Sequence, residues 1–564
     1  MGVARGVRAA IGLSLITALV LLGAQGDMSP PLTARSTSLG AAALIGLGYY
    51  LSQSAWLAGL GYWTLYRPLV AGLVVGMALG DPWAGARIGA TINIAFLGFL
   101  GTGGALANDM ALVGYVGATI GLTTGLSAAA SLALSLPFGL VGYGLYRVRL
   151  RWSNRLVRDA AGHARRGDAR GIARCNVLLP QSMLVLLAWV PGSAIAYIAA
   201  ISAQEIAQVA PAWALSWLHL TGASLVALGA AAGLALVWTH HTAGFFLGGV
   251  GLAIVAVEPE TALWVGLVGV VASLVAPWIS RTREGKRRSV ESEATSDAEA
   301  DGAVRARDRM ASLLIWLFFS HSAYSDEGRQ ALGLAHALAP VLRRLYREPS
   351  DLGRALIRYL VPFNVEPNLG SALVGALGHE EETLAQGRRE PEVPREAPLQ
   401  LAGPISAVGD TIIHGAVGFL GITLGVALAI IAGPVGAVVY VAIMAAVVWG
   451  LSAWAYSQGY HGGPTGVLRL LRAAGWRRVL IGAERAGALL LGVLAAGPVA
   501  GLFAMSPDAA AAAAHRTLAG RVEAALPGVA LVLVWLALQR WGLRQRWPTA
   551  ACYAVGLIVA LVRL

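Results

Sequence analysis

Long apolar runs broken by short polar or glycine-rich segments organise the chain. The runs are rich in Ala, Gly, Leu and Val along their whole length. Strands of a membrane barrel would alternate and reset about every 10 residues, so the pattern predicts helices. Several segments fill residues 38 to 146, and four more cover 177–203, 210–238, 244–257 and 261–279. Apolar runs resume at 409–432, 434–456, 480–504, 525–539 and 548–563. A run of about 20 apolar residues spans a bilayer. The expected fold is an all-α integral membrane protein, a polytopic helix bundle.

Three stretches depart from simple spans. Around Gly80-Asp81-Pro82 the apolar segments are short, about 13 residues each at ~1.5 Å per residue, against ~30 Å of hydrocarbon. Short paired segments with a Gly/Pro break read as re-entrant or discontinuous helices, which line the substrate path in transporters. Residues 311–400 are amphipathic, as in QALGLAHALAPVLRRLYRE, and predict interfacial or bundle-buried helices. Residues 281–310 are charged and nearly free of large apolar groups, which predicts a disordered linker. The expected organisation is an apolar N-terminal segment 1–37, a membrane domain 38–280, the linker 281–310 and a second membrane domain 311–564. RAAIGLSLITALVLLGAQ, at 8–25, reads as a signal-like segment or as an extra membrane helix, with the retained helix favoured.

Composition agrees: 57% hydrophobic and only 13% charged residues, against about 25% charged in soluble domains. The net charge of +12 follows the positive-inside rule. Arg147, Arg149, Arg151, Arg155, Arg158, Arg165, Arg166, Arg170 and Arg174 crowd one predicted cytoplasmic loop, and Arg281 to Arg288 form a second cluster. Four intervening spans place both on one side. Basic and aromatic residues do not interleave on a soluble module, so no nucleic-acid partner is expected. Cys175 and Cys552 lie far apart without a CxxC pattern and read as inert.

The motifs of soluble enzymes are missing. There is no Walker A sequence or serine elbow, and His379-Glu380-Glu381-Glu382 lacks the second histidine of a zinc helix. No metal or cofactor is expected. The candidates are polar residues stranded in apolar context, which are costly there and point to function. Asp410 and His414, in LAGPISAVGDTIIHG, share a helix face at a spacing of four; a structural ion pair is the competing reading. Asn364 and Glu366, in FNVEP, suit a site or a turn and cap. Asn93 suits a site or an interhelical hydrogen bond, Asp109 a site or a helix cap, and Arg67 an interface anchor ahead of the short hairpin. Carboxylates and amides of this kind suit the hydroxyls of a sugar, and Trp56, Tyr62 and Trp63 lie nearby for stacking.

RPLVAGLVVGMALGD, GATINIAFLG and GTGGALANDMAL resemble the IIC membrane subunit of the mannose/fructose/sorbose family of the bacterial phosphotransferase system (PTS). QALGLAHALAPVLRRLY, FNVEP, EEETLAQG, YSQGYHGG and above all GPISAVGDTIIHG resemble the IID subunit. The two, normally separate chains, look fused through the linker. The resemblance covers roughly 38 to 500.

The resemblance implies a sugar permease of the cytoplasmic membrane for hexoses or amino sugars. It also implies a homotrimeric assembly, with separate cytoplasmic IIA and IIB proteins supplying the phosphoryl group. It places Asp410 and the FNVEP residues at or near the sugar. This chain contains no IIA- or IIB-like domain and no phosphoryl-carrying residue, so it does not phosphorylate sugar alone. It departs from the family where HLEFFNT becomes YLVPFNV, bringing in Tyr359 and Val361, and where a WNYERMQ-like motif becomes YSDEGRQ at 324–330. Asn93 stands for a family Glu or Gln, and Ala407 fills the second small position of the GP signature. These departures leave the sugar and the phosphoryl coupling open. The rival readings are a facilitator or sensor uncoupled from phosphorylation, and a non-transporting receptor or scaffold.

Overall fold

The computed structural model describes residues 37–57, 59–98, 108–256, 259–279, 304–387, 399–473, 475–503, 518–540 and 546–562. The N-terminal segment, most of the charged linker and the GTGGALA stretch lie outside the described residues. Helices form the whole architecture, and among the described residues the extended pairing is limited to isolated bridges at Ser325–Arg329 and Arg329–Phe363.

The first half runs α1 (Leu39–Gln53), a single turn α2 (Leu60–Trp63), α3 (Pro68–Leu79), α4 (Pro82–Ile94), α5 (Met110–Thr124), α6 (Ala128–Ser135) and α7 (Phe138–Arg165). It continues through α8 (Ala169–Val209), α9 (Ala212–Val237), α10 (His240–Val255) and α11 (Pro259–Ile279). The second half begins with α12 (Ala306–Phe319), α13 (Ala331–Leu345), α14 (Pro349–Arg358) and α15 (Pro367–Ala385). It ends with α16 (Ala402–Ala432), α17 (Pro434–Leu471), α18 (Gly475–Val499), α19 (Leu518–Arg540) and α20 (Arg546–Val562). Among the described residues six helices are long and apolar enough to cross a membrane: α8, α9, α16, α17, α18 and α19. Helices α6 and α7 bend by 43° where they meet, and α3, α5 and α10 are apolar but shorter than a span.

The short pair predicted around Gly80-Asp81-Pro82 forms a hairpin. Gly80 takes φ +81°, the left-handed conformation that glycine adopts without steric cost. Asp81 accepts the Ala84 N–H at 2.9 Å, and Pro82 occupies the first turn, where its missing N–H costs nothing. The arms touch backbone to backbone through glycines. A Cβ on Gly85 would lie 2.4 Å from the Gly72 carbonyl oxygen, and one on Gly89 would lie 2.4 Å from the Pro68 carbonyl oxygen. Small residues permit this approach where dispersion rather than water exclusion drives helix association.

The second half grips this hairpin. The Arg87 guanidinium donates to the Ile430 carbonyl at 3.0 and 2.9 Å, near the end of α16. Trp83 packs against Gly433, at the turn into α17, and the Tyr440 hydroxyl donates to the Trp63 carbonyl at 2.6 Å. Farther off, His219 of α9 bridges Ser127 and the Leu502 carbonyl, at 2.8 Å each. One apolar core accordingly draws on α1, α3–α6, α9 and α16–α19 together.

A second core holds α12–α15, which the amphipathic pattern predicted as interfacial or bundle-buried helices, against α7 and the start of α8. Helices α13 and α15 are largely bundle-buried, whereas α12 and α14 each bury one face and leave residues such as Met310, Leu314 and Arg354 exposed. The arginines expected in a loop mostly stand on α7 and α8, which pack on α13 and α14. Residues of the GHEEE stretch anchor this core. Glu381, 1% exposed, accepts from the Tyr346 and Tyr359 hydroxyls at 2.7 and 2.6 Å and pairs with Arg358. Glu382 accepts from Tyr460 at 2.6 Å.

Gly85→Val should force the hairpin arms apart and cost about 1–3 kcal/mol, the range for overpacking. Gly144→Ala is the control: nothing lies within 4 Å of the added carbon on α7, and helix propensity favours alanine by about 1 kcal/mol. Thermal unfolding of the purified protein in detergent should show the first variant lowered and the second unchanged or raised.

Candidate functional site

A cavity of about 180 Å³ opens between the two halves. The first half contributes the end of α1 and the segment after it (Gln53, Ser54), α2 (Tyr62, Trp63) and α7 (Tyr146, Arg149). The second contributes the α12–α13 connection (His321, Ser322, Tyr324), the FNVEP segment and the middle of α16. Four sequence candidates meet here: Asn364, Glu366, Asp410 and His414.

Asp410 and His414 do not sit on a regular α-helix. Residues Asp410–Gly418 form a π-helical stretch inside α16. Such stretches are rare and often mark functional sites. The wider turn still keeps the pair together, with His414 Nε2 at 3.7 Å from Asp410 Oδ1. The His414 ring packs on Trp63 with centroids 4.5 Å apart and is almost enclosed, whereas the Asp410 side chain keeps 30% exposure. Asp410 is thus the carboxylate that α16 offers to the cavity.

Glu366 is enclosed and largely committed to its own helix. It caps α15, accepting the Asn368 and Leu369 N–H groups at 3.0 and 2.8 Å and the Asn368 side-chain amide at 2.6 Å. Gly409 lets α16 pass directly against it, because a Cβ there would lie 2.8 Å from both Cβ and Oε2 of Glu366. The glycine before Asp410 therefore sets how closely the two cavity carboxylates approach. Asn364 is exposed to the cavity and accepts from the Tyr324 hydroxyl at 3.1 Å.

Arg67, Asn93 and Asp109 lie outside the cavity lining. Asn93 Oδ1 accepts the Leu69 N–H at 3.3 Å, serving an otherwise unbonded donor in the first turn of α3. Asp109 caps α5 through the Ala111 and Leu112 N–H groups at 3.0 and 3.1 Å. Its other oxygen accepts from Tyr49 at 2.7 Å and from Gln53 at 3.1 Å, so Asp109 sits behind the cavity wall and bonds the lining residue Gln53. Arg67 precedes α3, is 8% exposed, and has Nη1 3.8 Å from the Met110 sulfur.

The family departures at Tyr359 and Val361 also lie outside the lining. Tyr359 points into the second core toward Glu381, and Val361 is exposed. Tyr324, by contrast, lines the cavity and stacks on His321 with ring centroids 5.4 Å apart. Gln330 holds the FNVEP segment by exchanging bonds with the Val365 backbone at 2.8 and 2.9 Å, and its amide meets His321 at 2.9 Å.

Several site residues were not singled out from sequence: Gln53, Arg149, Gln181 and His321. Arg149 was legible in principle, because it continues a buried face of α7 through Ser153, Leu156, Ala160 and Ala164. Gln181 bonds Ser54 at 2.7 Å and Ser322 at 3.1 Å, joining cavity walls from opposite halves. No local pattern marks that link. Among the described residues no cluster of His, Cys, Asp and Glu would hold a metal ion.

The fold and site define a polytopic membrane protein with a largely apolar cavity, carrying a few polar side chains, at the junction of two interlocked helical halves. Residues 39–275 match the sorbose-specific IIC component of the PTS, and residues 303–564 match the IID component of its mannose/fructose/sorbose family. The chain belongs to the membrane components of this family, with IIC and IID in one polypeptide, and it is a multi-pass protein of the cell membrane.

It is 31% identical over 127 residues to the fructose permease IID component of Bacillus subtilis (strain 168), covering 22% of this chain and 46% of that one. It is 32% identical over 97 residues to the mannose-specific EIID component of Escherichia coli (strain K12), covering 17% and 34%. The chain thus spans less than half the length of these curated relatives. A cryo-EM structure of the mannose transporter ManYZ with microcin E492 matches at TM-score 0.27 and 24% identity, covering 35% of this chain and 71% of that one. A structure described as a membrane protein matches at TM-score 0.36 and 23% identity, covering 44% and 99%.

Asn93→Ala leaves the Leu69 N–H unbonded and should cost about 1–3 kcal/mol of stability without altering ligand affinity. Gly409→Ala should lower both stability and ligand affinity, because it displaces Glu366, which lines the cavity and also caps α15. Thermal unfolding and sugar titration of the two purified variants, side by side, check both expectations.

Proposed function

We propose that this chain is the sugar-translocating unit of a mannose-family PTS, acting with separate cytoplasmic IIA and IIB proteins that phosphorylate the sugar. The observation that carries this reading is the cavity built by both halves, with the partly exposed Asp410 carboxylate and the Asn364 amide facing it. Carboxylate and amide groups pair with neighbouring sugar hydroxyls, and Tyr62 and Trp63 supply apolar ring area. The relatives named as fructose permease and mannose-specific components support a hexose, and the family resemblance extends the reading to amino sugars. The family resemblance further supports a homotrimer of the fused unit.

Transport follows from the discontinuous helices. Each arm of the hairpin α3–α4 is too short to span, and Arg87 ties the hairpin to α16 of the second half. Relative motion of two such bundles around a site at their junction gives alternating access. The π-helical stretch begins at Asp410, where a change of pitch would reorient the carboxylate.

Uptake of mannose, fructose and glucosamine into vesicles holding the purified chain tests the reading, with and without IIA, IIB and phosphoenolpyruvate-charged carrier. Uptake should require the soluble proteins and yield sugar phosphate. Asp410→Asn should lower it about tenfold or more, the scale of losing a charged hydrogen bond. Uptake indifferent to the soluble proteins would replace the coupled permease with a facilitator. Absence of uptake and of binding for every sugar would overturn the permease reading.

A further inference from the structure

Arg149 is a buried cation on the wall of the cavity. It is 8% exposed and lies on α7 between the partly exposed Arg147 and the exposed Arg151. Its hydrogen bonds all go to backbone carbonyls: Gln53 at 3.5 Å, His321 at 3.3 Å and Ser322 at 3.1 Å. Among the described residues no carboxylate lies within ion-pair distance of it. The neighbouring Arg147 does have one, Asp326 at 3.6 Å, and Arg158 pairs with Glu327. Asp109, which reaches the cavity wall through Gln53, is already taken by Tyr49, Gln53 and two helix N–H groups.

Neutral carbonyl oxygens stabilise a guanidinium but do not cancel its charge, and a buried charge without a counter-ion is expensive. A guanidinium also carries five N–H donors, and the carbonyls account for three bonds. The cavity is therefore polarised. The carboxylates of Asp410 and Glu366 come from the second half, and the uncompensated cation comes from α7. Helix α7 leads from this wall to the arginine-rich surface expected to face the cytoplasm.

We infer that Arg149 makes this end of the cavity a phosphate subsite, holding the phosphoryl group of a phosphorylated sugar while the sugar ring faces Asp410 and Asn364. The planar fork of the guanidinium suits phosphate oxygens. The inference rests on the permease reading for its ligand. It adds that the cavity binds the phosphorylated product as well as the free sugar, so release of product toward the cytoplasm begins from an electrostatically held state.

The test uses the full chain in nanodiscs, titrated with mannose, fructose and glucosamine, with their 6-phosphates, and with inorganic phosphate. The wild type should bind at least one sugar phosphate no more weakly than the matching free sugar. Raising the salt concentration should weaken the phosphate ester and leave the sugar nearly unchanged. Arg149→Gln should weaken the ester about tenfold or more and the free sugar less than twofold; Arg149→Lys, which keeps the charge, should fall between.

Equal weakening of ester and free sugar by Arg149→Gln would show a wall strut and overturn the subsite. Binding of free sugar without any ester by the wild type would overturn it and leave the permease standing. If no sugar binds in either form, the permease reading falls. Inorganic phosphate then decides the anion site, supporting it if binding is lost in Arg149→Gln and overturning it if the wild type binds none. The salt dependence of the wild type serves as the readout should Arg149→Gln fail to fold.

Discussion

A helix that begins inside a membrane protein's interior leaves N–H groups that water does not reach. Each costs free energy until a side chain accepts it. Much of the polar chemistry of this chain answers that constraint. Asp81 closes the start of α4, Asn93 serves α3, Asp109 caps α5 and Glu366 caps α15. Broken helices are what bring backbone and polar side chains to the middle of the bundle, and the caps are what let them stay there. The cavity depends on them: Gln53 and Asn368 on its wall hydrogen-bond directly to the capping residues Asp109 and Glu366.

Joining the two halves is a separate matter of close backbone contact and a few directed bonds. The glycine-lined hairpin is thin enough for α16 and α17 to close over it; Arg87 ties it to α16, and Tyr440 ties α17 to the preceding turn α2. On the cavity side Arg149 and Gln181 reach from the first half to the segment after α12. In a fused chain both halves are present at equal concentration by construction, so these contacts form within one molecule. The site is assembled from both halves and neither half holds it alone.

Fold class was legible in the chain because it follows from one-dimensional quantities. Uninterrupted apolar runs specify helices in lipid, and Gly80-Asp81-Pro82 marks a turn because left-handed φ and a missing N–H are properties of those residues themselves. The amphipathic face of α13–α15 likewise announced burial on one side. The π-helical pitch at Asp410 and the burial of Arg149 left weaker marks. The first needs knowledge of what α16 packs against. The second is visible as a helical face only once the arginine-rich segment is read as a helix.

The sequence by itself determined that the chain is helical, membrane-embedded and built from two halves, and it nominated the polar residues that are costly in such a place. It did not separate those spent on capping from those facing a ligand, since Asp109 and Asp410 are the same functional group in similar glycine-rich surroundings. Only the tertiary structure decided that. Asp109 is saturated by Tyr49, Gln53 and its own helix, while Asp410 keeps an open side toward a cavity whose opposite wall comes from residues hundreds of positions away. Whether a hydrogen-bonding group is free or already satisfied depends on every neighbour at once, and those neighbours are set by packing rather than by local sequence.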